Sequence, residues 1–90
     1  MLINTLLHKK AKLVVQALKE KGLKVATAES CTGGMVASAI TDISGASEIF
    51  ELGVVSYSNR IKAEVLGVNT ETLEQFGAVS EQTAKEMAIN

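Results

Sequence analysis

Apolar side chains return every three or four positions near the start of the chain, at Leu6/Leu7, Ala11, Val14 and Leu18, with lysines between them. That period predicts an amphipathic helix from about Asn4 to Lys21, and Gly22 stands where such a helix stops. Lys24–Ala28 then reads as a short buried strand. Glu29–Gly34 breaks the pattern with polar residues and two glycines. Met35–Ile40 resumes it with small side chains that suit a helix packed tightly on a sheet. After a loop at Ile43–Ser47, Leu52–Ser56 reads as a second strand ending near Tyr57. Asn59 is placed to cap a short helix over Arg60–Leu66. Thr70 can cap another over Glu71–Phe76. Ser80 can cap a last helix from Glu81 onward, with Glu81 favourably placed in its first turn.

The count is five helices and two strands, an α/β pattern that fits one domain over residues 1–90. Two strands alone make a poor platform. The expectation is therefore that the domain is cut short on its C-terminal side, or that a second copy supplies strands, which leaves homo-oligomerisation open.

Composition narrows the classes. Nine basic and ten acidic side chains leave a net charge of -1, so no field of one sign favours nucleic acid or an anionic membrane. Aromatic residues make up 3%, too few for base-stacking platforms. Cys31 is the sole cysteine, which rules out an internal disulfide and suits a reducing cytoplasm. The apolar start is interrupted by His8, Lys9 and Lys10 and reads as helix, not signal peptide. No apolar run approaches the about 20 residues that span a bilayer. One histidine and one cysteine at unrelated places offer no metal site.

The chemistry concentrates in Thr27-Ala28-Glu29-Ser30-Cys31-Thr32-Gly33-Gly34. A strand running into a polar turn, with two glycines opening a helix, puts the Ser30 hydroxyl at the carboxyl end of a strand, where α/β sheets bind ligands. Backbone N–H groups at the helix start are aimed at the same spot. They can hold a phosphate or stabilise an oxyanion beside a nucleophilic serine. The pattern is neither a P-loop, nor Gly-x-Gly-x-x-Gly, nor Gly-x-Ser-x-Gly. It also fits a plain polar turn capped by Ser30 or Thr32.

A nucleophilic serine needs a base. His8 sits among lysines and reads as a solvated surface residue. The other route is a lysine, which serves only when uncharged. Lys62 falls in the first turn of the helix that Asn59 would cap, where the helix dipole disfavours a cation. The bland alternative is an exposed helix lysine next to Arg60. Tyr57, at the end of the second strand, can relay a proton or simply form a core edge. Cys31 is the rival nucleophile.

These residues resemble a known family. Thr27–Gly34 looks like the signature of the CinA C-terminal domain. Gly53-Val54-Val55-Ser56-Tyr57-Ser58-Asn59 followed by Lys62 is similar to its second block, and Leu66-Gly67-Val68 with Gly77-Ala78-Val79-Ser80 to a third. The resemblance covers nearly the whole chain. It implies a three-layer α/β/α sandwich with a mixed sheet. It also implies deamidation of nicotinamide mononucleotide to nicotinic acid mononucleotide and ammonia, with no cofactor and a small nucleotide as partner. By the same resemblance Ser30 is the nucleophile, Lys62 its base and Tyr57 a helper in proton transfer. Glu29, Cys31, Thr32, Gly33, Gly34, Ser58 and Asn59 bind substrate, the loop N–H groups serving oxyanion or nucleotide. Ser44-Gly45-Ala46-Ser47 departs from the family's Pro-Gly-Ala-Ser, and the family's later glycine-rich segment has no counterpart here. Two other readings stay open: a non-catalytic nucleotide-binding or partner domain of a competence/damage-inducible protein, and an inactive fragment.

Overall fold

In the computed structural model, residues 2–90 are described, with side chains from Thr5 onward. Met1, part of the apolar start, lies outside the described residues. The elements run α1 (Leu2–Lys21), β1 (Val25–Glu29), α2 (Met35–Thr41), one tight helical turn at Ala46–Glu48, β2 (Phe50–Val55), α3 (Asn59–Glu64), α4 (Thr70–Phe76) and α5 (Glu81–Ile89). The α/β class and its five helices and two strands are as the sequence pattern predicts. The two strands are paired and parallel. The chain forms two compact units, one up to Val54 and one from Val55.

In the first unit, α1 packs against α2, and α2 against β1. The core is Ala11, Val15, Ile40, Ile43, Ala46 and Ile49, with Leu18, Val25, Ala39 and Phe50 packed on it. The buried stripe of α1 therefore passes through Val15, which is 1% exposed, and not through Val14, which is 42% exposed. Two adjacent valines are almost equally compatible with a 3.6-residue period, and only the position of α2 selects between them. α1 ends at Gly22, whose φ of 65° is left-handed. The Gly22 N–H donates to the Lys19 carbonyl at 3.2 Å and the Leu23 N–H to the Leu18 carbonyl at 3.0 Å. This paired closure satisfies carbonyls that the helix end would leave open. β1 is half-buried along most of its length and fully buried only at Glu29, which corrects the buried strand expected over Lys24–Ala28. β2 begins two residues earlier than expected, at Phe50.

In the second unit, Leu66, Val68, Leu73 and Met87 are buried, together with the polar Ser56, Lys62 and Thr83. The α4–α5 pair is tied by polar contacts. Glu86 Oε1 accepts from the Asn69 N–H at 2.9 Å, and its Oε2 accepts from the Thr72 hydroxyl at 2.6 Å. The Thr83 hydroxyl donates to the Gly77 carbonyl at 2.7 Å. Ser80 caps α5 as predicted, its Oγ accepting from the Thr83 N–H at 3.1 Å. Two other caps are displaced by one residue. Ser58, not Asn59, caps α3, accepting from the Ile61 N–H at 3.1 Å. Asn69, not Thr70, holds the cap position of α4. In each case two adjacent residues can cap, and the deciding factor is which one the incoming chain leaves extended.

Candidate functional site

The first unit carries the reactive loop. β1 delivers Glu29, and the chain then turns sharply, the Gly33 N–H donating to the Ser30 carbonyl at 3.1 Å. Gly33 and Gly34 have φ of 63° and 94°, a backbone that side-chain-bearing residues rarely take, and α2 starts directly after them. Ser30 is half-buried at the tip of the strand. Among the described residues its hydroxyl has no hydrogen-bond partner, and Cys31 beside it is an exposed free thiol.

Glu29, which the family resemblance assigns to substrate binding, turns its carboxylate into its own chain. Its side chain is buried, with the residue 6% exposed, and both oxygens turn into the start of α2. Oε1 accepts from the Val36 N–H at 2.9 Å and the Thr32 hydroxyl at 2.7 Å, and Oε2 accepts from the Ala37 N–H at 3.0 Å. Burial alone pushes this carboxyl up. Hydrogen bonds from Thr32, Ala37, Val36 and Gly34 outweigh burial and hold it below its ordinary value of 4.5. The amides expected to face a ligand are thus largely spent. Val36, Ala37 and Gly34 serve Glu29, Met35 donates to the Thr32 carbonyl, and Gly33 closes the turn. Among the described residues, the N–H groups of Cys31 and Thr32 are among those of the loop left without a partner.

The second unit carries the remaining candidates. Lys62 is 1% exposed, and its Nζ donates to the Ser56 carbonyl at 3.0 Å. Among the described residues no carboxylate pairs with it. This replaces the first-turn argument. With Ser58 as cap and a helix of six residues, Lys62 lies in the last turn of α3. There a helix dipole favours a cation, and what marks the residue instead is burial without a counter-ion. The Ser56 carbonyl that holds the amine is a partner the sequence could not reveal, because every residue has a carbonyl. Tyr57 is 77% exposed. Ser58 is spent on capping α3, while Asn59 borders an open cleft of about 480 Å³ between α3 and α4, with Arg60, Glu64, Thr70 and Glu74. Arg60 and Glu64 pair at 2.9 Å along the helix.

His8 is exposed, with Nδ1 3.9 Å from Asp42 Oδ2, as a solvated surface residue would be. Among the described residues no group of three or more His, Cys, Asp or Glu is placed to hold a metal, and no helix is long and apolar enough to cross a membrane.

Comparison with known proteins follows the same residues. The chain is 62% identical over 76 residues to the nicotinamide-nucleotide amidohydrolase PncC of Escherichia coli, an alignment covering 84% of this chain and 46% of that protein. It is 58% identical over 78 residues to a putative competence-damage inducible protein of Caldanaerobacter subterraneus, covering 87% of this chain and 19% of the relative. The crystal structure of a competence/damage-inducible protein from Agrobacterium tumefaciens superposes with a TM-score of 0.88 at 49% identity, covering 91% of this chain and 50% of that one. The chain thus spans about half the length of the shorter relatives and a fifth of the longer. The profile of the CinA C-terminal domain matches residues 7–90, across both compact units, and the chain belongs to that family.

Proposed function

We propose that this chain is the catalytic portion of a cytoplasmic amidohydrolase, a single domain across both units, that converts nicotinamide mononucleotide to nicotinic acid mononucleotide and ammonia. The observation that carries the reading is the Ser30 hydroxyl, unengaged at the end of β1 beside the unpaired Cys31 and Thr32 amides. It occurs in a chain 62% identical over 76 residues to a nicotinamide-nucleotide amidohydrolase.

The Ser30 Oγ attacks the carboxamide carbon while the Lys62 amine accepts its proton. Negative charge develops on the former carbonyl oxygen, and unpaired loop N–H groups receive it. The same proton passes to the departing nitrogen, ammonia leaves, and an ester joins the acyl group to Ser30. Water then attacks the ester, releasing the carboxylate and restoring the hydroxyl. The Lys62 Nζ is buried and held by the Ser56 carbonyl at 3.0 Å, with no carboxylate beside it among the described residues. Tyr57, exposed near Lys62 in sequence, assists the transfer, and Asn59 and Ser58 shape the substrate pocket.

The competing reading places a nucleotide phosphate on the start of α2. Glu29 argues against it, because a carboxylate already occupies those amides and would repel a second anion. The test is ammonia release from nicotinamide mononucleotide by the wild-type chain and its Ser30→Ala variant. Loss of turnover by roughly 10⁴-fold or more is expected on removing the nucleophile. Equal turnover in the two proteins overturns the scheme.

A further inference from the structure

We propose that Glu29 is the positioning residue of the reactive loop: its buried carboxylate consumes the first-turn amides of α2 and the Thr32 hydroxyl, and so leaves the role of oxyanion donor to the loop amides before α2, those of Cys31 and Thr32 among them. The loop function rests on the amidohydrolase reading; the bonding role of Glu29 does not.

The geometry is unusual for a helix start. First-turn N–H groups have no acceptor within their own helix and ordinarily face water or a single capping side chain. Gly34, which holds the cap position, has no side chain to supply one. Glu29 takes over from five residues upstream, at the end of the preceding strand. One carboxylate reaches two consecutive amides, Val36 and Ala37, and a hydroxyl, at 2.9, 3.0 and 2.7 Å. The strand end and the helix start are clamped together, and Ser30–Gly34 is the short segment that must bridge them.

Three consequences follow for the chemistry. Ser30 leaves a buried, fully bonded residue, so its backbone direction is fixed from the strand side. Thr32 is anchored by its hydroxyl, which fixes the amide two positions past the nucleophile. The first-turn amides of α2 cannot move to meet substrate without abandoning Glu29. A donor is effective only when it is already in place as charge develops, and the clamp supplies that placement without touching substrate. The carboxylate also lets a neutral amide be the group that approaches, since its oxygens are turned away into the helix.

The test is amide hydrogen exchange by NMR on this chain, with Glu29→Gln, Glu29→Asp and Thr32→Val. In the wild type, Val36 and Ala37 are protected although they lie in a first turn, while Cys31 and Thr32 exchange fast. A glutamine offers one oxygen in place of two and presents an N–H₂ group to an N–H donor. Protection at Val36 and Ala37 is expected to fall roughly 10- to 100-fold, the range for bonds to a charged acceptor. Glu29→Asp keeps the charge on a shorter arm and recovers part of the protection. Thr32→Val removes a single bond and keeps the fold if Glu29→Gln does not. In the ammonia-release assay, kcat falls in Glu29→Gln while KM changes little, because positioning acts on the transition state. Val36 and Ala37 protection that is absent in the wild type, or unchanged in Glu29→Gln, overturns the clamp. Loss of protection with unchanged kcat overturns its catalytic use. Failure of the amidohydrolase reading shows separately, as turnover that survives Ser30→Ala.

Discussion

Replacing Lys62 with methionine separates what the amine does for the reaction from what the side chain does for the fold. Lys62 is 1% exposed and makes one hydrogen bond from Nζ, to the Ser56 carbonyl at 3.0 Å. Losing that bond costs about 1 kcal/mol, or up to about 3 if the donor is charged. Against this stands the burial of a strongly polar group, whose desolvation costs about 1–3 kcal/mol by mutational measures. Methionine keeps most of the aliphatic stem and fills the space with a flexible thioether. The terms are of similar size and opposite sign, so the net change in stability is expected within about 1 kcal/mol of zero. In a domain of this size that is about 4–8 °C in melting temperature. Alanine in the same place also removes the stem and leaves a void, for about 2–4 kcal/mol. A general base, by contrast, contributes about 10²–10⁴-fold in rate. Lys62→Met should therefore melt close to the wild type, by circular dichroism, while ammonia release falls at least about 100-fold. A well-folded Lys62→Met chain that keeps full turnover refutes the base assignment. A chain that loses both fold and activity refutes the energetic argument.

Two further expectations rest on the same structure. Glu29 and Glu86 both have carboxyls held below 4.5 in the folded chain by hydrogen bonds from Thr32 and from Thr72 and Asn69. The unfolded chain thus binds more protons as pH drops, so the stability these groups contribute is complete above about 4.5 and is lost as pH falls through their folded values. Thermal melts from pH 7 to 3 should show that loss, with a flatter acid limb in Glu29→Gln; equal limbs would count against it. Val15→Ala should cost about 2 kcal/mol in urea unfolding, for two buried methyl groups and the space they leave, whereas Val14→Ala on the exposed side should cost under about 0.5; the reverse order would move the core face of α1.

What could be read from the chain itself were features with a local cause. The stop at Gly22 is legible because a glycine after an amphipathic run is the cheapest left-handed terminus, and Ser80 because its hydroxyl sits beside the amides it caps. The strand–turn–helix passage around Ser30 is legible for the same reason, since two glycines and a polar run admit little else. Family membership followed from three blocks in order. What only the tertiary structure decided involves partners distant in sequence or groups that every residue carries. The choice of Val15 over Val14 depends on where α2 lies, and that of Ser58 over Asn59 on how the chain leaves β2. Glu29 reads as a polar loop-edge residue, yet it is buried because α2 folds back to offer amides seven and eight positions downstream. Lys62 reads as a first-turn candidate base or, alternatively, an exposed helix lysine; neither reading shows that it is among the most deeply buried side chains, held by a backbone carbonyl. Periodicity registers which residues dislike water; it carries no record of which buried donor will find an acceptor, because that depends on distances set only when the elements pack.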